Sequence, residues 1–302
     1  MIVFESFRER LAKTLDSIES AILDLWKKTD LTEFRNDPHS PFFVVTHPYR
    51  WKPLPIEHKA AQARLLAQYR HWFELFQRCH AQHSGDVQTD IAETNTRILG
   101  AIELQSDWGT AATFEENRLR LKETFDSFRS FLQQHITDGK DFVVVPDTNA
   151  LLITSDPARY ADVVDSSRFR FIIVPTVLAE LDELKRTRSA QSVGEKAEKA
   201  IRIIKGLRKQ GSVLDGVKVA KTITVQMIPT EPRLADLPSW LDADNKDDRI
   251  IASTLEIQGA EPSATVVLVT DDINLQNKAE MAFLPWAEPP EPLPKVTTAV
   301  AI

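Results

Sequence analysis

The residues of this chain that could do chemistry together are acids, and they stand at the ends of apolar runs. Asp147 follows the run VVVP in VVVPDTN, and Asp271 and Asp272 follow VLVT in VLVTDD. Glu180 falls within VPTVLAELDELK, and Asp247 and Asp248 open DDRIIASTLEI. If the apolar runs are strands and the segments after them helices, four separate segments bring a carboxylate to one sheet edge. In an open α/β sheet, groups just past the carboxyl ends of the strands line the ligand crevice. Carboxylates gathered there repel one another unless a cation or protons intervene. All seven histidines lie at or before His135 and the only cysteine is Cys79. The second half can therefore build neither a Ser-His-Asp triad nor a histidine- or thiolate-ligated metal from its own residues. The matching cation is a hard one, Mg²⁺ or Mn²⁺, held by oxygens and keeping several waters. Such a centre activates a water and neutralises a phosphodiester during in-line displacement. Taken singly, each acid has a plainer explanation. An Asp after a strand is commonly a turn residue or helix N-cap, and acids at a helix start, as at Asp247 and Asp248, are favoured by the dipole. All four segments nevertheless occur in order along one chain, which the separate explanations do not account for.

The elements that would position these acids are legible in the apolar pattern. DFVVV (141–145), FRFIIV (169–174), TITVQMI (222–228) and TVVLVT (265–270) are continuous β-branched runs, as expected of parallel strands covered on both faces. Helical segments alternate with them at about 157–165, 176–188, 193–210, 245–258 and 272–281. This alternation predicts a doubly wound α/β domain over residues 139–289, with a parallel sheet of about five strands. On its helix, Glu183 stands one turn after Glu180 and shares its face, adding charge behind it. A proline-containing tail, 290–302, follows.

The first half has a different texture and predicts an all-α accessory domain over residues 1–138. Phe7, Leu11, Leu15, Ile18, Ile22 and Leu25 recur at spacings of three and four within residues 5–28. Prolines at 38, 41, 48, 53 and 55 mark residues 30–57 as a long loop. A second helix is expected over 58–82, with Leu65, Tyr69, Trp72, Phe76 and Cys79 inward, and Ile91, Ile98 and Ile102 suggest a third. Thr113 and Glu116 have the spacing of a capping box, which would open a fourth helix carrying Leu121, Phe125, Phe128 and Leu132 on one face. Cys79, His80 and His83 are near one another but lack a fourth ligand, and read as part of a helix. Trp26, Trp72 and Trp108 read as core rather than as stacking platforms for bases.

PDTNALL, VPTVLAELDELK, DNKDDRIIASTL and VLVTDDINLQNKA together resemble the PIN-domain nucleases, over about half of the chain. The resemblance implies a divalent metal centre and cleavage of RNA. By position it implies that Asp147, Glu180, Asp247 and Asp272 are catalytic. Asp248 and Asp271 stand beside the third and fourth acids, and either could replace its neighbour as a metal ligand. Thr148 and Asn149 match the polar positions after the first acid and would orient it, with Thr270 and Glu183 as further supporting residues. Arg249, Lys185 and Arg188 are candidates for the substrate backbone. Basic residues crowd the segment 185–209, where a solvated helix face is the competing explanation. The leading reading is a metal-dependent endoribonuclease, and one setting for such an enzyme is a bacterial toxin or defence system. A haloacid-dehalogenase-type phosphohydrolase would need an Asp two residues after Asp147, where this chain has Asn149. A non-catalytic RNA- or protein-binding module of the same fold would be expected to lack one of the acids.

The bulk numbers agree with a globular protein of one or two domains. Of 302 residues, 42% are apolar and 27% charged, enough to bury a sizeable core. The net charge of -7 gives no support for a protein that coats nucleic acid through bulk charge, and leaves room for a local basic groove. The N-terminal MIVFESFRERLAK has acids where a secretory signal needs an apolar run, so the expected location is the cytoplasm. The expected partners are an RNA substrate and a protein bound through the helical domain.

Overall fold

The computed structural model describes residues 4–33, 49–81, 83–106, 110–133, 141–186, 191–233 and 238–291. Arg188, Trp108, Gly139 and the tail beyond residue 291 lie outside these segments, as do Pro38, Pro41 and Pro48. The chain divides into two compact units, one of Arg8–Ile136 and one of Met1–Phe7 with Thr137–Ile302.

The first unit is helical, as its 3.6-residue periodicity requires. Helix α1 (Phe7–Trp26) buries Leu11, Leu15, Ile18, Ile22 and Leu25. Two three-residue antiparallel strands, β1 (Leu31–Glu33) and β2 (Tyr49–Trp51), interrupt what the prolines suggested was loop alone. Helices α2 (Ile56–His80), α3 (Gly85–Glu103) and α4 (Phe114–Gln133) follow. The expected capping box opens α4: Glu116 N–H donates to Thr113 Oγ1 and Thr113 N–H to Glu116 Oε2, each at 3.2 Å. Trp72 stacks on Phe76 at 5.0 Å and meets Phe128 edge-on at 5.2 Å. Its indole N–H donates to the Leu11 carbonyl at 2.8 Å, and that of Trp26 to Ala101 at 2.9 Å. Both tryptophans therefore serve as core with their polar edge satisfied. Cys79 is also buried, and burial pushes its thiol up to about 12.

The second unit is built on a sheet. Strand β3 (Phe142–Pro146) leads into the short helix α5 (Thr148–Ile153), then a 3-10 turn (Pro157–Tyr160), α6 (Ala161–Val164) and β4 (Phe169–Ile173). Helices α7 (Pro175–Arg186) and α8 (Gln191–Arg208) precede β5 (Val217–Lys218) and β6 (Ile223–Met227). Then come α9 (Lys246–Ala260), β7 (Thr265–Val269), α10 (Ile273–Met281) and β8 (Trp286–Ala287). The strand order is β5-β6-β4-β3-β7-β8. Strands β6, β4, β3, β7 and β8 run parallel, and β5 is antiparallel to β6. The expected doubly wound sheet is present, with a two-residue antiparallel edge added. Gly216 makes that edge possible: its φ is 103°, and a Cβ there would lie 2.7 Å from Thr224 Cγ2.

The chain builds outward from β3 through β4 to β6 and then returns to the other side of β3 with β7. Direction reverses between β3 and β7, and in sheets of this class the reversal opens the ligand crevice. Asp147 and the Asp271–Asp272 pair follow these two neighbouring strands. Among the described residues no helix is long and apolar enough to cross a membrane.

The chain clusters into two compact units, so the C-terminal one should fold by itself. Residues 139–291 expressed alone should unfold in one cooperative transition with native near-UV ellipticity. A fragment without that signal would mean that the cut divides a core.

Candidate active site

Asp147 is the best-defined acid of the C-terminal unit. It lies one residue past β3, is 3% exposed, and caps α5 by accepting the Ala150 N–H at 2.6 Å. Its own N–H donates to the Val269 carbonyl at 2.9 Å, so it stays in register with the end of β7. Its second oxygen accepts Thr270 Oγ1–H at 2.6 Å. Burial pushes the carboxyl up to about 6; the Thr270 and Ala150 hydrogen bonds pull it down, while the negative charges of Asp272 and Glu180 push it further up. Those charges mark Asp272 and Glu180 as electrostatic neighbours of Asp147.

Thr270 works in two directions, accepting the Asp272 N–H at 3.0 Å while it donates to Asp147. Asp272 caps α10, its Oδ1 accepting from Asn274 N at 2.7 Å and Leu275 N at 3.3 Å. Asp271 is exposed. Glu180, in the middle of α7, accepts the Thr148 hydroxyl. The residues expected to orient Asp147 are thus differently employed. Thr148 serves Glu180, Asn149 is exposed, and Asp147 is held by Ala150 and Thr270.

The third pair sits at the start of α9, capped by Asn245. Asp248 is buried, accepting the Asp242 N–H at 2.9 Å and pairing with Lys278 Nζ at 2.7 Å. Asp247 is half-buried and 3.6 Å from the same ammonium. Both acids are therefore tied through Lys278 to α10, the helix that Asp272 caps. Lys246 plays a similar part for α7, at 2.7 Å from Glu183 and 3.8 Å from Glu180. The hydrogen bond from Lys246 holds the Glu183 carboxyl below its ordinary range. Arg249 is half-buried beside Lys246, and its buried Nε has no hydrogen-bond partner among the described residues. Lys185 is exposed in the last turn of α7, and Arg188 lies outside the described residues.

Lys246 and Lys278 are the residues that reasoning from sequence missed. Their signal was present: Lys246 stands directly before Asp247 in DNKDDR, and Lys278 six residues after Asp272 in DINLQNK. Each crosses from the segment of one acid to the carboxylate of another, which spacing along the chain does not reveal. Among the described residues, no three His, Cys, Asp or Glu side chains stand close enough to hold a metal ion together. What the edge displays is acids individually satisfied by hydroxyls, amides and ammoniums, with like charges pressing on Asp147.

Lys278→Met should lower the unfolding free energy by about 1–3 kcal/mol, because Asp248 would stay buried without its ammonium. Chemical denaturation of the two proteins measures this. Equal stability would show that the Lys278–Asp248 contact does not hold α10 to α9.

The family model for the PIN domain matches residues 144–286, from the third residue of β3 to the first of β8. No curated protein matches the chain. Matched motifs, parallel sheet and acids at the switch point lead to one assignment: the C-terminal half of this chain is a PIN domain, a module of a nuclease family.

Proposed function

We propose that the C-terminal half is a metal-dependent endoribonuclease whose reaction centre lies at the tips of β3 and β7. The carrying observation is Asp147, a buried carboxylate at the switch point whose pKa is pushed up by burial and by the charges of Asp272 and Glu180. Acids that destabilise one another at a strand edge favour a cation, and an all-oxygen donor set suits Mg²⁺ or Mn²⁺. Asp147, Glu180 and Asp272 would hold it, with Asp247 or Asp248 from α9. A bound divalent ion supplies an activated water and neutralises charge on the phosphodiester.

The chain's own groups prepare that chemistry. Thr270 fixes the rotation of Asp147 and, through the Asp272 N–H, the approach of the fourth acid. Thr148 does the same for Glu180. Arg249, half-buried next to the third acid, is suited to a substrate phosphate, as is Lys185, exposed in the last turn of the helix that carries Glu180 and Glu183. A second reading has support from the same edge. Since these acids already have protein partners and, among the described residues, no three gather around one point, a module that binds RNA without cutting it would also accommodate them.

Cleavage decides between the two. The purified full chain should cut single-stranded RNA with Mg²⁺ or Mn²⁺ and stop when a chelator is in excess. Asp147→Asn should abolish cutting while RNA binding persists or tightens, since one negative charge near the phosphates is gone. Cutting that survives chelation or Asp147→Asn would rule out the metal mechanism.

Thr270→Val, nearly isosteric, should slow cleavage by about 10–100-fold with the fold intact, while Thr270→Ser restores it. Full activity in Thr270→Val would remove the hydroxyl from the mechanism. Arg249→Ala should weaken RNA binding and lower its salt dependence by about one phosphate contact. An unchanged salt slope would place the substrate elsewhere.

A further inference from the structure

We infer that the Lys278 ammonium stands in for a second divalent ion, so that the proposed centre takes one ion and not two. This rests on the metal-dependent reading above and deepens it. Phosphodiester cleavage can be served by two ions about 3.5–4 Å apart, one on the attacking and one on the leaving oxygen. With a single ion, the remaining acids still need a positive charge beside them.

The acids of this unit fall into two groups. Asp272 and Glu180 are the charges that press on Asp147. Asp247 and Asp248 instead face Lys278 Nζ, which lies 3.6 Å from Asp247 Oδ2 and 2.7 Å from Asp248 Oδ1. The other oxygen of Asp248 accepts the Asp242 N–H at 2.9 Å. Both oxygens of Asp248 are thus engaged, which leaves Asp247 as the α9 acid for the first ion. A second ion here would need an Asp248 oxygen at about 2.0–2.1 Å. The ammonium already occupies that approach, and two cations at one carboxylate repel each other.

Lys278 is built to stay. Helix α10 is pinned by the Asp272 cap and by the buried Leu275 and Ala279. The Lys278 side chain is 26% exposed and its partner Asp248 is buried, so withdrawing the ammonium would leave a buried charge uncompensated. Lys246 shows the contrast. Its side chain is 45% exposed and its nearer partner, Glu183, is exposed too, a pair that water screens and that contributes little. Lys246 can leave Glu183 at small cost, whereas Lys278 is bound to Asp248. A fixed ammonium offers donors and a positive charge to a phosphate oxygen, but does not make a hydroxide from water as a divalent ion does. Lys278 therefore supplies charge and no nucleophile.

The probe is Mn²⁺ alone, titrated into the full chain, with the free ion read from the electron paramagnetic resonance signal of aqueous Mn²⁺. The parent should bind one ion per chain. Lys278→Met should bind a second, and Lys278→Arg, which keeps the charge, should bind one. Asp248→Asn/Lys278→Met, which also removes the buried carboxylate charge, should return to one. A lysine that only ties α10 to α9 would lower the melting temperature when replaced by Met and leave the ion count at the parent's, which would overturn the inference. Two ions on the parent would overturn it too. No ion on the parent or on any variant is a different result, and would overturn the metal-dependent reading together with the inference. Crystals of the parent soaked in Mn²⁺ give a check that needs no variant: Lys278 Nζ should remain on Asp248, and manganese bound to Asp248 would overturn the inference.

Discussion

The C-terminal half depends on keeping one carboxylate ionisable inside the protein. Asp147 is almost wholly buried at the tip of the central strand, where desolvation opposes its charge. It is tolerated because a helix N-terminus and a threonine hydroxyl both donate to it. Those donors come from different places, Ala150 from the turn after β3 and Thr270 from the end of β7. Thr270 is itself anchored, its N–H donating to the Ala287 carbonyl of β8 at 3.0 Å. Three adjacent strands therefore have to be in register for one side chain to be held. The parallel pairing of Pro146 with Val269 is the register that does this.

Around that point the edge is balanced by ammoniums. Lys278 ties α10 to α9 through Asp248, and Lys246 ties α9 to α7 through Glu183. The helices that carry the second, third and fourth acids are thus linked by ionic contacts that lie across the sheet edge. Under the proposed function a structural role and a catalytic one coincide here, because the same carboxylates that hold the helices together would also have to hold a cation.

Much of this was legible in the sequence, and the failures have physical causes. FRFIIV and TVVLVT are long β-branched runs, and each became a strand within a residue of its expected end. Strands β5 and β8 are two residues long, pair only at the sheet margins, and leave no periodicity to read. The segment 157–165 has helical composition, but Asp165 turns left-handed at φ 47° after a 3-10 turn and one turn of α-helix. The PIN-domain motifs were visible because they combine strand ends with acids at set distances. Thr148 was assigned to the acid beside it in sequence, whereas its hydroxyl reaches Glu180, 32 residues away. The partners of Lys246 and Lys278 could not be read for the same reason, since each lysine meets its acid only after the sheet has brought distant segments together.

The central claim is that these acids exist to hold a divalent ion, and diffraction from crystals of the full chain soaked in Mn²⁺ tests it most directly. The account predicts anomalous density at the carboxyl edge within coordination distance of Asp147 and Asp272, about 2.0–2.3 Å, with Glu180 or an acid of α9 completing the set. It also predicts no such density in Asp147→Asn. Soaked crystals with no manganese at this edge, or manganese that stays when Asp147 is replaced, would contradict it.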